Sequence, residues 1–311
     1  MKQVLITGGA GFIGSHTADA LLTQGFAVRV LDNFSNGKHA NLNALALADG
    51  RLTVIEGDVR DAAITDAAVK GVDAVLHLAA QVSVPRSVAD PVESSTHNIG
   101  GFLNVLDAVR RHKIPRMVYA SSAAVYGVPE ALPLLETNTA KPLSPYGLEK
   151  FINDQYAALY GELYGVSSVG MRYFNVYGPR QDPKSPYAGV ISKFADGLED
   201  GKPLRVFGDG SQTRDFIYVG DVARANVLAL QGDVVGVLNV GTGTSVTLLE
   251  LIEAMKEAFD KPALVRHEPP ATGDIAHSAT NPARLKQTLG WQPATTFVQG
   301  LLALAGSLRE T

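Results

Sequence analysis

Apolar runs of strand length alternate with amphipathic stretches of helix length through the first 170 residues. Gln3–Thr7, Ala27–Leu31, Leu52–Glu56, Ala74–His77, Arg116–Ala120 and Ser168–Arg172 are too apolar to keep one side in water. Such runs predict parallel strands covered on both faces. Helical spacing marks Phe12–Thr23, Ala62–Val69, Val92–Arg111 and Pro145–Tyr164 between them. Strand and helix in alternation predict an α/β fold with a doubly wound parallel sheet. Beyond residue 172 proline and glycine become dense and the elements shorten. A helix at Val219–Gln231 and a strand at Val237–Val240 can return to the first sheet. The expected organisation is a dinucleotide-binding domain over 1–176, completed by about 215–243. A smaller interleaved α/β substrate cap takes about 177–214 and 244–311.

The first strand opens into Gly8-Gly9-Ala10-Gly11-Phe12-Ile13-Gly14 and then a helix. Gly8 permits a tight turn, Gly11 leaves room for a pyrophosphate, and Gly14 lets the helix pack closely. The helix N-terminus offers N–H groups and a positive dipole end to phosphates. Three glycines in seven residues also occur in plain turns, so the strand-to-helix context is what counts. Asp32 ends the second strand, 18 positions after Gly14. A carboxylate there accepts from both ribose hydroxyls and repels a 2′-phosphate, which favours NAD over NADP. Asn33, Ser35 and Asn36 can add bonds to ribose or phosphate. Asp58-Val59 ends the third strand near the adenine edge, although Asp58 can equally cap the next helix. Leu78-Ala79-Ala80 ends the fourth strand with small residues suited to a wall against the cofactor.

Tyr146 and Lys150 lie four apart on a predicted helix that starts near Ser144-Pro145, so they share a face. A free phenol titrates near ~10, and base catalysis near neutrality asks for about 4 kcal/mol of help. An ammonium one turn away and an oxidised nicotinamide both favour the phenolate. Ser121-Ser122 ends the fifth strand, on the edge where doubly wound sheets bind ligands. Either hydroxyl can reach the reacting sugar oxygen, depending on the pleat. Two serines that merely terminate a strand are the plain alternative.

Composition narrows the field. The 311 residues are 46% hydrophobic, enough for a sizeable core, and carry a net charge of -4. No basic face for nucleic acid is expected. The absence of cysteine removes thiolate nucleophiles and Cys-based metal sites. The seven histidines show no metal-ligand spacing, so no metal is expected. Met1 to Ile6 is too short for a signal core, and no apolar run approaches ~20 residues. A cytoplasmic location with no membrane contact is the default expectation.

With those pieces in place the chain resembles the extended short-chain dehydrogenase/reductase family, and within it the UDP-glucose and UDP-N-acetylglucosamine 4-epimerases. The matching stretches are Thr7–Gly14, Asp32–Gly37, Gly57-Asp58, His77–Ala80, Ser121–Gly127, Tyr146–Lys150, Arg172–Pro179, Gly208–Asp215 and Gly273–Ser278. The resemblance implies that Gly8, Gly11, Phe12, Ile13 and Gly14 hold the NAD pyrophosphate. Asp32, Asn33, Ser35, Asn36 and Gly37 would surround the ribose, and Asp58 and Val59 the adenine. Leu78, Ala79, Ala80 and Tyr173 would complete the cofactor groove. Tyr146 would be the base, Lys150 its partner and a ribose ligand, and Ser122 or Ser121 the hydroxyl on the sugar oxygen. Asn175, Arg214 and Asp274 would bind UDP, with Val190, Val206 and Phe207 at the uracil. Ala123-Ala124 stands where related dehydratases carry an acidic pair. Ser278 stands where some epimerases have a bulky tyrosine, so a UDP-sugar with an N-acetyl group is the expected substrate. Ala271 replaces an arginine common in the family. The helices Val92–Arg111 and Pro145–Tyr164, with Ile99, Phe102, Leu103, Leu106 and Val109, would pair in a homodimer. That apolar stripe can equally face the sheet. A dehydratase, a sugar reductase and a redox-silent dinucleotide-binding protein remain as alternatives.

Overall fold

The computed structural model describes residues 1–182, 189–270 and 275–309. Seven strands make one parallel sheet: β1 (Gln3–Thr7), β2 (Ala27–Asp32), β3 (Leu52–Glu56), β4 (Ala74–His77), β5 (Met117–Ser122), β6 (Ser168–Tyr173) and a late strand at Gly236–Val240. Their order is β3-β2-β1-β4-β5-β6 and then the late strand at the edge, so the direction of winding reverses between β1 and β4. Ligands in such sheets bind at the carboxyl ends of the strands beside that reversal.

Period-2 side chains divide the core. Val4, Ile6, Val28, Val30, Leu76, Val118 and Met171 face one layer, and Leu5, Leu31, Val75, Met117 and Tyr119 face the other. Helices on the two faces include α1 (Phe12–Thr23), α2 (Ala44–Ala48) and α3 (Ala62–Val69). Two short helices, α4 (Val84–Ala89) and α5 (Pro91–Ser95), lead into a π-helical turn, Thr96–Gly101, and then α6 (Phe102–Arg111). The long α7 (Pro145–Tyr164) starts at Ser144, whose side chain accepts from the Gly147 N–H.

The helix expected over Val92–Arg111 forms, but its middle stretch, Thr96–Gly101, is wound as a π turn. That wider turn has a local cause. Asn98 turns inward to bond the backbone of Gln81, and a Cβ on Gly101 would lie 2.6 Å from Val59 Cγ2. The extra residue of a π turn accommodates both.

The rest of the chain interleaves. It runs through β7 (Asn175–Tyr177), α8 (Val190–Asp200), β8 (Leu204–Phe207), β9 (Thr213–Arg214) and β10 (Phe216–Tyr218). It then returns with α9 (Val219–Gln231), which packs on α1, and with β11 (Gly236–Val240), the late strand beside β6. It leaves again through β12 (Val246–Thr247), α10 (Leu248–Phe259), β13 (Val265–Glu268), α11 (Ala283–Leu289) and α12 (Phe297–Arg309). A separate apolar core joins Ile191, Phe194, Leu204, Val206, Leu251, Met255 and Leu301 from this part. Among the described residues no helix is long and apolar enough to cross a membrane.

Candidate active site

The glycine turn is closely folded on itself. Gly8 has φ +70°, and a Cβ there would lie 2.8 Å from the Ala79 nitrogen. A Cβ on Gly14 would lie 2.2 Å from the Gly8 oxygen and 2.8 Å from Gly9 Cα. The first turn of α1 thus rests on the backbone of the loop before it. Gly11, at the helix N-cap without a side-chain cap, would meet only the Gly8 oxygen, at 3.2 Å. Phe12 and Ile13 follow it in the first turn, half-buried. The turn leaves backbone and a helix dipole exposed to an anion, with the half-buried Leu78, Ala79 and Ala80 beside it just past β4.

Asp32 is buried at the end of β2. Its Oδ2 accepts from the Ala10 N–H and its Oδ1 from the Phe34 N–H, each at 2.9 Å. The carboxylate therefore ties the glycine turn to the loop after β2, and each oxygen keeps a further lone pair. Asn33, Ser35 and Asn36 are exposed on that loop. Asn33 Oδ1 accepts from the Ser35 N–H and hydroxyl, and its amide donates to Asp58 at 2.9 Å. A Cβ on Gly37 would meet Ala10 Cβ and Asp32 Oδ1, each at 2.9 Å. These residues fit a dinucleotide: a side-chain-free cradle, a helix N-terminus and a fixed carboxylate meet at one sheet edge.

Some expectations need correcting. β3 ends at Glu56, so Asp58 and Val59 lie beyond it. The cap of α3 is Asp61, which accepts from the Ala63 and Ile64 N–H groups. Asp58 instead pairs with the Arg60 guanidinium, which holds its carboxyl well below the usual range. Val59 sends its side chain into the core under α6. Tyr173 is buried, and its hydroxyl donates to Asn226 Oδ1 at 2.7 Å in the layer between sheet and α9. Its hydroxyl does not join the glycine turn.

The other half of the site is the start of α7. The Tyr146 hydroxyl is hydrogen-bonded to the Ser122 side chain. Ser122 Oγ also accepts from the Ala124 N–H at 3.1 Å. Ser121 points away and donates to Asp154 Oδ2 at 3.2 Å. Successive residues of a strand face opposite sides, so one serine alone can meet Tyr146, and it is Ser122. Lys150 is buried, donates to the Ala120 carbonyl at 3.0 Å and lies 5.8 Å from the centre of the Tyr146 ring. Burial pulls the Lys150 ammonium down to about 8, against the opposing pull of Asp154 and Glu149. Burial pushes the Tyr146 phenol up, its bond to Ser122 opposes this, and Glu149 adds to the rise. In the chain alone, desolvation thus outweighs the Ser122 bond, the one influence that lowers the phenol.

Several residues here escaped the sequence reading. Asp154 forms a buried ion pair with Arg172 at 2.9 Å and also accepts from Tyr119 and Ser121. Arg172 donates on to Tyr126, which donates to Asn239, and the Asn239 amide reaches the Leu134 carbonyl. The Leu134 N–H and carbonyl bond Ala279 and Asn281, beside Ser278. Gln81, Ser94, Asn98 and Glu149 form a second buried group. The one signal for it was Gly100-Gly101 within an apparent helix, which marks an irregular turn.

On the substrate side, Asn175 lies in β7 with its amide donating to the Asp215 carbonyl at 3.1 Å. Val190 opens α8 and lines a cavity of about 90 Å³ with Asn175, Gln181 and Phe216. Strand β8 alternates, so Val206 is fully buried in the second core while Phe207 is 41% exposed. Of these two, only Phe207 presents a side chain. Arg214 is half-buried in β9, with Nη1 donating to the Thr213 carbonyl at 2.9 Å. Ser278 is half-buried nearby, its N–H bonded to the same carbonyl at 3.1 Å. Asp274 and Ala271 lie outside the described residues.

A sheet edge that joins a dinucleotide cradle to a Tyr–Lys–Ser group defines a nicotinamide-dependent enzyme of the short-chain dehydrogenase/reductase type. The model of the NAD dependent epimerase/dehydratase family matches residues 4–241, and the chain belongs to that family. It is 38% identical over 304 residues to the UDP-glucose 4-epimerase of Mycolicibacterium smegmatis, covering 96% of each chain. It is 39% identical to a solved UDP-N-acetylglucosamine 4-epimerase from Methanobrevibacter ruminantium in complex with UDP-N-acetylmuramic acid, at a TM-score of 0.95 over 99% of this chain and 98% of that one. The Thermus thermophilus UDP-glucose 4-epimerase, solved in complex with NAD, is 40% identical at a TM-score of 0.90 over 99% of each chain.

Proposed function

We propose that this chain interconverts UDP-N-acetylglucosamine and UDP-N-acetylgalactosamine, with UDP-glucose and UDP-galactose as further substrates. NAD-dependent 4-epimerisation of a UDP-sugar is the activity its relatives carry. The observation that carries the reading is the Tyr146–Ser122–Lys150 group beside the glycine cradle. Bound NAD would supply reversible hydride exchange with the sugar C4. Gly8, Gly11, Gly14 and the helix dipole of α1 would hold its phosphates, and Asp32 its ribose. Tyr146 takes the proton of the 4-hydroxyl and later gives it back. Ser122 holds that oxygen and relays the proton, and Lys150 supplies positive charge beside the phenol. Asn175, Val190, Phe207, Arg214 and Asp274 keep the UDP end fixed while the 4-keto sugar turns to present its other face.

Ala123 and Ala124 support epimerisation over dehydration, since neither can act as an acid or base on the sugar. Ser278, small and half-buried beside Arg214, supports the N-acetylated sugar. Purified protein incubated with UDP-N-acetylglucosamine or UDP-glucose is expected to give both C4 isomers by NMR. Turnover of the second substrate alone would reject the sugar assignment. Ser278→Tyr is expected to lose roughly tenfold or more on the acetylated sugar and to keep the other. A product lighter by one water would point to a dehydratase instead.

A homodimer belongs to the same proposal. Phe102, Leu106 and Val109 cover the sheet, so the partner face must be another one. It is offered by Leu148, Ile152, Leu159 and Leu163 along α7, with Leu163 61% exposed and Val92 of α5 74% exposed. Sedimentation equilibrium is expected to return two chains per particle; a monomer at micromolar concentration would remove this part.

A further inference from the structure

Glu149 lies between Tyr146 and Lys150 in sequence, yet it does not face solvent as a helical glutamate usually does. It is 3% exposed. Its Oε2 accepts from the Ser94 hydroxyl at 2.9 Å and the Asn98 amide at 2.6 Å. Its Oε1 is buried and has no partner. Asn98 also clasps the backbone of Gln81, donating to its carbonyl at 2.8 Å and accepting from its N–H at 2.9 Å. The Gln81 amide reaches Ser94 at 3.1 Å. Gln81 directly follows Ala79-Ala80, the wall beside the glycine turn. The same stretch is tied to α7 twice more, by the Tyr146 N–H to Ser87 Oγ at 3.1 Å and by the Asn153 amide to the Asn98 carbonyl at 2.9 Å.

A buried carboxylate with an unpaired oxygen costs several kcal/mol unless a positive charge offsets it. A neutral side chain would serve as well if tethering were the whole task. The charges around the catalytic pair are few. Asp154 lies on α7 and Arg172 on β6, and they pair with each other. Tyr119 on β5 donates to Asp154, and His77 on β4 is held neutral, pushed down to about 3 by burial. On the α5 side Glu93 is shared by Arg86 and His97. Lys150 is the buried cation of this helix, and Asp154 and then Glu149 act on it.

We propose that Glu149 is a positioning residue of this site: it clamps the cofactor-wall loop to the catalytic helix, and its buried carboxylate adds to that of Asp154 in setting the charge around Tyr146 and Lys150. This rests on the roles of Tyr146 and Lys150 given above. The sign follows directly. A negative charge here raises proton affinity at both Tyr146 and Lys150. Removing it lowers both.

Glu149→Gln keeps the size and an acceptor oxygen. Both limbs of the kcat–pH profile are expected to move to lower pH, with kcat at about pH 9 falling roughly three- to tenfold and KM unchanged. Glu149→Asp keeps the charge and should keep the wild-type limbs. A profile unmoved in Glu149→Gln, with or without a fall in Tm, would overturn the proposal, as would equal shifts in both variants. A second readout needs no turnover. In NAD-bound protein carrying ¹³C at tyrosine Cζ, with Tyr146 identified by its loss in Tyr146→Phe, the phenol should titrate at lower pH in Glu149→Gln. An unmoved phenol overturns the proposal. A phenol that shifts in Glu149→Gln, while the wild type turns over no UDP-sugar, would sustain it and reject the function proposed above.

Discussion

Tyr146→Phe is expected to lower kcat by roughly two to four orders of magnitude, the usual worth of a positioned acid–base group. The fold should be untouched. The lost hydroxyl is bonded to Ser122, and Ser122 keeps the Ala124 N–H as a partner. The ring stays packed and the Tyr146 N–H keeps Ser87. Binding of UDP-sugar and retention of NAD should change little, so the loss falls in kcat and not in KM. Stopped-assay turnover and a melting curve on the same preparation check both halves. Activity within about threefold of wild type would remove Tyr146 from its role.

Asp154→Ala is expected to destabilise the protein by about 3–5 kcal/mol. Asp154 and Arg172 are both buried, and removing the carboxylate leaves a guanidinium without its counter-charge. Tyr119 and Ser121 lose their acceptor at the same time. Arg172 would retain Tyr126 and the Glu136 carbonyl, which limits the cost. Against a typical total of about 5–15 kcal/mol the effect is large. Urea unfolding should show a lower midpoint with an unchanged slope. The double variant Asp154→Ala/Arg172→Met should recover part of the loss, since no lone charge is then buried. If the double variant is weaker still, the ion-pair explanation fails.

Much of this was legible in the sequence because it rests on local rules. Strands buried on both faces are apolar without interruption, and all seven of the sheet could be placed within a residue or two. The glycine turn, Asp32 and the Tyr146/Lys150 spacing are local too. What escaped depends on contacts between distant segments. The π turn before Phe102 exists because Asn98 and Gly101 meet Gln81 and Val59, which no periodicity reveals. Whether Ser121 or Ser122 meets Tyr146, and whether Val206 or Phe207 shows its side chain, are questions of pleat that the neighbouring elements decide. Glu149 and Asp154 look like ordinary solvent-facing residues of a long helix. Their burial comes from the segments packed over them.

The late return of β11 to the sheet has a consequence during synthesis. β6 ends at Tyr173, but its outer neighbour begins at Gly236. At a ribosomal pace of roughly 5–20 residues per second, the nascent sheet carries an open hydrogen-bonding rim for several seconds. A rim of that kind invites pairing with other chains. Polysomes crowded with this message, or a gene truncated between the codons for Tyr173 and Gly236, should therefore feed more aggregate than full-length chains do.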